Sequence, residues 1–263
     1  MRRLHVFELC DQPWLPRVVR DACTAYLEHL SRWAGHPRRL VPLAERMLDR
    51  APAGIVDLCS GGGGPVVALR EALAERGRQV RVMLTDLYPN RAAFEEVRAV
   101  KPEWVEPITD PIDARRVPGD LRGARTLFNA LHHFEPQDAR ALLGDAARQG
   151  QPLLVFEANR RHPAALLGML LVVPWVVLAT VPLLRPLDWR WLLLTYLIPV
   201  LPLVIVWDGL VSVLRTYTAG ELRALTEAID APSYAWEIGD LDLGAPLPGQ
   251  YLLGLPMEDA ERP

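Results

Sequence analysis

The chain has 263 residues, enough for one large α/β domain or for a domain carrying a sizeable insertion. Its 29 basic and 32 acidic side chains leave a formal charge of -3, which gives no global reason to expect a nucleic-acid partner. Cys10, Cys23 and Cys59 form neither a CxxC pair nor a His/Cys cluster with zinc spacing, which argues against a disulfide scaffold or a structural metal and fits a reducing, cytosol-facing compartment.

The opening stretch MRRLHVFELCDQPW reaches Glu8 and Asp11 before any apolar run develops, so it does not read as a signal peptide. Residues 1–50 are expected to form a helical cap, with Val18, Val19, Ala22, Tyr26, Leu27 and Leu30 approximating one helical face, divided by Pro13, Pro16, Pro37 and Pro42. From Gly54 the pattern changes to short apolar runs alternating with helical segments. Strands are expected near 55–59, 80–85, 104–108, 124–129 and 152–157, which calls for a parallel sheet with crossover helices.

After Arg160 the composition shifts. Residues 164–184 carry no charge and neither do 191–207, with only RPLDWR between them. As straight helices these stretches would be roughly 31 and 26 Å long, close to the apolar thickness of a bilayer. Two crossings would return the chain to the side it started from, with Arg160, Arg161 and Arg215 at the cytosolic ends and Trp189, Trp191 and Trp207 near the interfaces. Pro174, Pro182, Pro199 and Pro202 argue against spanning, so a re-entrant hairpin, a lid or a dimer interface stays open beside it. The α/β pattern resumes with the helix TAGELRALTEAI and strands near 233–238 and 250–255. The expected organisation is therefore a cap at 1–50, a nucleoside-binding domain at 51–161 and 209–263, and a hydrophobic hairpin insertion at 162–208.

The segment IVDLCSGGGGP, Ile55 to Pro65, joins a strand to a helix through glycines. Glycine lets backbone approach a ligand closely, a helix start offers unpaired N–H groups, and proline suits the first helical turn. Such a loop serves a dinucleotide, a phosphate or a sulfonium nucleoside. Asp86 ends the next strand, where a carboxylate can accept hydrogen bonds from ribose hydroxyls. In PIDARRVP, Asp113 can accept from an adenine amino group while Ile112 and Ala114 flank the ring.

These residues resemble the class I S-adenosylmethionine-dependent methyltransferase family, whose glycine motif is matched by Asp57, Gly61 and Gly63, with Cys59 in place of the first glycine. Asp113 with Ala114 is similar to that family's acid-plus-small pair, and FNALHHF, Phe128 to Phe134, to its fourth-strand segment. The resemblance covers residues 54–160 well and the last forty weakly. It implies a Rossmann-like, doubly wound, seven-stranded sheet whose last strand is antiparallel, with S-adenosyl-L-methionine as cofactor. The cofactor-binding residues it implies are Asp57, Ser60, Gly61, Gly62, Gly63, Asp86, Leu87, Ile112, Asp113, Ala114 and Asn129.

Within that set, Asp57 either positions the loop or meets the methionine ammonium through water, and Asn129 either binds the methionine moiety or caps the next turn. His132 and His133 are the catalytic candidates, because a neutral imidazole can accept a hydroxyl proton; the alternative is packing under the loop. Glu157 can bind substrate or pair with Arg160 or Arg161. No metal constellation is found. The expected function is methyl transfer, preferentially to oxygen, on a lipophilic small molecule at the cytoplasmic face of a membrane, with 164–207 as an integral segment or membrane lipid as a partner. The alternatives are a soluble cytoplasmic enzyme with a hydrophobic lid or homodimer interface, and a noncatalytic nucleoside-binding membrane protein.

Overall fold

The apolar runs of the sequence become strands because β-branched and leucine side chains fill both faces of a sheet covered by helices. The computed structural model describes every residue except 52, 101, 245–246 and 258–263. The strands are β1 Ile55–Leu58, β2 Val82–Leu84, β3 Val105–Pro107, β4 Ala124–Phe128, β5 Leu153–Glu157, β6 Tyr234–Leu241 and β7 Gly249–Pro256. They form one seven-stranded sheet in the order β3-β2-β1-β4-β5-β7-β6. The five strands from β3 to β5 are parallel, and β7 runs antiparallel to both β5 and β6. The doubly wound sheet with an antiparallel last strand is thus as expected.

The described residues divide into two compact units. The first comprises Met1–Ala34 with Asn159–Tyr217, the second Gly35–Ala158 with the chain from Thr218 onward. The sheet lies in the second unit. Helices α2 His36–Arg50, α3 Gly64–Glu75 and α4 Arg91–Val100 pack a shared apolar core on one face, built on Leu40, Met47, Leu69, Leu73 and Phe94. Helices α5 Pro136–Arg148 and α10 Ala219–Glu227 pack against each other and the opposite face. There Arg125 of β4, fully buried, donates to Asp145 of α5 at 2.8 Å, and Asp145 also accepts from the Val117 N–H. Removing either member would strand a charge in the interior, at about 3–5 kcal/mol. Helix α10 opens with a capping box, Thr218 and Glu221 satisfying each other's backbone N–H groups.

The first unit is helical: α1 Arg17–Trp33, α6 Pro163–Leu171, α7 Val173–Thr180, α8 Trp189–Leu192 and α9 Val200–Arg215. Its core joins Val19 and Tyr26 of α1 to Val177, Trp191, Leu201 and Ile205. The N-terminal segment is tied to α9 through the polar residues that end the second apolar stretch. Leu9 and Cys10 donate their N–H groups to the Asp208 carboxylate at 2.6 and 3.0 Å, and Ser212 donates to Glu8.

The insertion departs from expectation. The two long straight helices do not form: among the described residues no single helix is long and apolar enough to cross a membrane. The first stretch is bent by 43° between α6 and α7, and the second by 81° between Leu197 and Val200. Proline is the physical reason. Pro174 and Pro182 stand at the starts of α7 and of the 3-10 turn Val181–Leu183, and Pro199 precedes α9, each where the missing N–H breaks the helical ladder.

Candidate active site

The site is set by topology. After β3 the chain crosses to β4 on the other side of β1, so the carboxyl ends of β1 and β4 flank a switch point, the place where open α/β sheets bind ligands. Register puts Asp57 of β1 directly beside Thr126 of β4, and the Thr126 hydroxyl donates to Asp57 Oδ1 at 2.6 Å. Asp57 is buried, and burial lifts its carboxyl from the ordinary range to about 7, against the opposing pull of the Thr126 hydrogen bond; the Asp86 carboxylate lifts it further.

The glycine loop is pinned from below and open above. The Ser60 hydroxyl donates to the Asp57 carbonyl at 2.9 Å, and the Thr85 N–H donates to the same carbonyl at 3.0 Å. Gly61 and Gly63 take φ values of 55° and 79°, and a Cβ on Gly63 would meet Leu84 at 2.9 Å. No atom would lie within 4 Å of a Cβ on Gly61, so space for a ligand begins there. Gly62 lies in the turn between them. Asp86 reaches across from the end of β2, its Oδ2 accepting the Gly61 N–H at 3.0 Å and its Oδ1 the Tyr88 N–H at 2.9 Å. Leu87 beside it is exposed.

Cys59 has a φ of 54°, the left-handed region that favours glycine, so the residue that replaces the glycine adopts glycine's backbone. Burial, together with the carboxylates of Asp86, Asp57 and Asp113, keeps its thiol protonated. Cys59→Gly is expected to leave fold and ligand affinity within a few-fold. Cys59→Val, β-branched at positive φ, should cost about 1–2 kcal/mol in urea denaturation.

The third strand end joins this cluster, the Ile112 N–H donating to the Asp86 carbonyl at 2.9 Å. Ile112 and Ala114 are buried. Asp113 between them is engaged by Arg115, whose side chain donates to both carboxylate oxygens at 2.7–3.1 Å and whose backbone N–H donates to Oδ1 at 2.9 Å. Arg115 also donates to Asp138 at 2.9 Å. This clamp holds the Asp113 carboxyl below its usual range and fixes its direction. The acid followed two positions later by arginine was the signal for it in the sequence.

The end of β4 carries the second half of the site. Asn129, at a φ of 49°, donates its N–H to the Phe156 carbonyl and accepts the Ala158 N–H on its side-chain oxygen, both at 2.7 Å. Its amide oxygen therefore clasps the end of β5. The chain then turns through the 3-10 segment Leu131–His133. His132 Nδ1 lies 2.7 Å from Glu157 Oε2, and the His132 N–H donates to Glu157 Oε1 at 3.1 Å. Both residues are buried. A carboxylate accepts hydrogen bonds, so Glu157 orients the His132 ring through Nδ1–H, and the second ring nitrogen, Nε2, is itself buried. Glu157 is thus the partner of His132, and its carboxylate is committed there. The ring of His133 lies 4.3 Å from that of His132, tilted by 32°.

No protein-family model matches the chain, and no curated protein matches it in sequence. Solved structures do match. The O-methyltransferase NcsB1 from neocarzinostatin biosynthesis, in complex with S-adenosylmethionine and 2-hydroxy-5-methyl naphthoic acid, superposes with a TM-score of 0.55 at 15% identity, covering 92% of this chain and 59% of that one. The mitomycin 7-O-methyltransferase MmcR gives a TM-score of 0.51 at 17% identity, covering 86% and 54%. This chain has the class I methyltransferase fold. It spans about half to three-fifths of the length of those structures. Asp57, Asp86 and Asn129 stand at or just beyond the carboxyl ends of β1, β2 and β4, beside the switch point.

Proposed function

We propose that the chain is an S-adenosylmethionine-dependent methyltransferase that methylates an oxygen of a lipophilic small molecule delivered from a membrane surface. The observation that carries the chemistry is the buried His132–Glu157 pair on the turn leaving β4, next to the switch point. The residues fit the cofactor. Gly61 leaves open space over the loop, and Asp86 beside it carries the carboxylate that would accept from the ribose hydroxyls. Asp57 and Asp113 are the two further acids of the cluster. The resemblance of the fold to O-methyltransferases supports oxygen as the acceptor atom.

When bound, S-adenosylmethionine supplies an electrophilic methyl group on a sulfonium. The chain's residues must then align a hydroxyl with it and remove the hydroxyl proton. His132 Nε2 takes that proton. Glu157, which already holds Nδ1–H, stabilises the imidazolium that results and prevents the ring from turning. Asn129 and the bond from Ala158 fix the strand ends on which both residues stand.

Calorimetry with S-adenosylmethionine, S-adenosylhomocysteine and NAD tests the assignment. Both sulfur nucleosides should bind and NAD should not. Asp86→Ala should weaken binding about 10- to 100-fold, the worth of hydrogen bonds to a charged acceptor. Absence of binding by either sulfur nucleoside to the unmodified chain would refute the reading. A labelled-methyl assay against a total lipid and metabolite extract then identifies the acceptor.

A further inference from the structure

The first unit exposes more apolar surface than a protein ordinarily leaves to water. Trp175, Leu197 and Leu203 are 71%, 73% and 69% exposed. Leu167, Leu170 and Leu171 stand at helical spacing on α6, in which no residue is buried. The Tyr196 hydroxyl donates to the Leu178 carbonyl of α7, so the π-helical turn Leu193–Leu197 lies beside α7. Isolated apolar residues need no explanation, but this many on one helical unit call for a covering partner.

Charge indicates which partner. The first unit holds ten arginines and six carboxylates, while the whole chain is at -3, so the most apolar part of the molecule is also its most basic. The arginines stand outside the apolar stretches. Arg160 and Arg161 precede the first and Arg185 and Arg190 lie between the two, with none in 163–184 or 191–207. Tryptophan and tyrosine are interspersed on the exposed surface at Trp175, Trp189, Tyr196 and Trp207, the residue types that settle at the level of lipid headgroups.

The bends decide the mode. The longest of the apolar helices, α9, has sixteen residues, about 24 Å against the roughly 30 Å of a bilayer core. One side of α9 is buried within the unit, at Leu201, Val204 and Ile205, and Leu203 faces outward. Backbone groups freed at Pro174, Pro182 and Pro199 can be hydrated at an interface but not in the hydrocarbon centre.

We propose that the first unit docks the protein on an anionic lipid bilayer, its bent helices lying in the interface of one leaflet with the exposed Arg185 and Arg190 on lipid phosphates. The inference rests on the methyl-transfer reading only for its purpose, the delivery of a lipophilic acceptor; the docking itself needs no chemistry.

Flotation of the full chain with vesicles tests it, using phosphatidylcholine alone and phosphatidylcholine with about one phosphatidylserine in three. Binding should be about tenfold stronger to the anionic vesicles, as expected for two or more arginines near the surface. The double substitution Leu197→Glu with Ile198→Glu, at exposed positions that leave the core untouched, should reduce binding at least tenfold while the affinity for S-adenosylmethionine is unchanged. Alkaline carbonate should release the bound protein. Equal binding to both vesicles, retention after carbonate, or a dimer that ignores vesicles and is dissociated by the double substitution would each overturn the proposal. Vesicle binding without S-adenosylmethionine binding would leave docking intact and sink the catalytic reading alone.

Discussion

His132→Gln is expected to lower kcat for methyl transfer to a hydroxyl by about 10²- to 10⁴-fold, the usual worth of a positioned general base, with little change in S-adenosylmethionine affinity. Glutamine keeps much of the volume and can still donate toward Glu157, so the loss reports the base and not a collapsed turn. Glu157→Gln should be damaging for a different reason. Its side-chain NH₂ can turn toward Nδ1, which would drive the imidazole into the tautomer that carries its proton on Nε2, where it cannot accept one from the substrate. The discriminating readout is the pH profile. Protonation of His132 abolishes its lone pair, so the wild type should lose kcat toward acid; in His132→Gln that limb should vanish, and activity should rise with pH as the acceptor hydroxyl ionises unaided. A kcat unchanged by His132→Gln would remove the residue from the chemistry.

The second large effect concerns the acid at the end of β1. Burial raises the Asp57 carboxyl to about 7, above the roughly 3.9 of an unfolded chain, so between those values the folded state binds the extra proton. Stability attributable to this group is therefore complete below about pH 4, falls as pH rises, and is fully lost above about pH 7. The magnitude is up to about 4 kcal/mol, from about 1.4 kcal/mol for each tenfold in the proton equilibrium. Asp57→Asn should flatten this slope, and in urea unfolding at pH 8 the variant should match or exceed the wild type. Ligand affinity should move the opposite way. If the ionised carboxylate meets the methionine ammonium, wild-type affinity increases through pH 7 and the increase is absent in Asp57→Asn. An unaltered stability slope in the variant would show that the burial cost lies elsewhere.

Much of the fold was legible because hydropathy alternation records it directly. Ile55–Leu58 and Leu153–Glu157 lie within one residue of the expected strands, since both are apolar runs bounded by glycine, proline or a charged turn. Strand β2 is shorter than its apolar run, ending at Leu84 because Thr85 and Asp86 turn inward to hold the glycine loop. The insertion was legible in composition and not in shape, for charge counting measures the length of an apolar stretch but the prolines determine whether it is straight. At the site, Asp57 lies within β1, Asp86 two residues past β2 and Asp113 six residues past β3, so only the first two stand at the strand ends that spacing suggested. The pairing of His132 with Glu157 was not legible, because 25 residues separate them and the parallel register of β4 on β5 brings them together. Asn129 illustrates the same limit: its oxygen is committed to Ala158, a contact that exists only once β5 is laid beside β4.

The antiparallel placement of β7 also orders events during synthesis. Every strand from β1 to β5 is translated before residue 158, and the parallel half of the sheet can assemble as it leaves the ribosome. The outer edge of β5 then has no neighbour until residues 249–256 have been made, and β6, though made earlier, has only β7 to pair with. In the interval the nascent chain carries an unpaired apolar edge, the kind of template on which strands of other chains add. Glu157, at the end of that edge strand, pairs in register with Gln250 of β7, so the strand that holds the partner of His132 is completed only by β7, the last of the seven described strands to be translated.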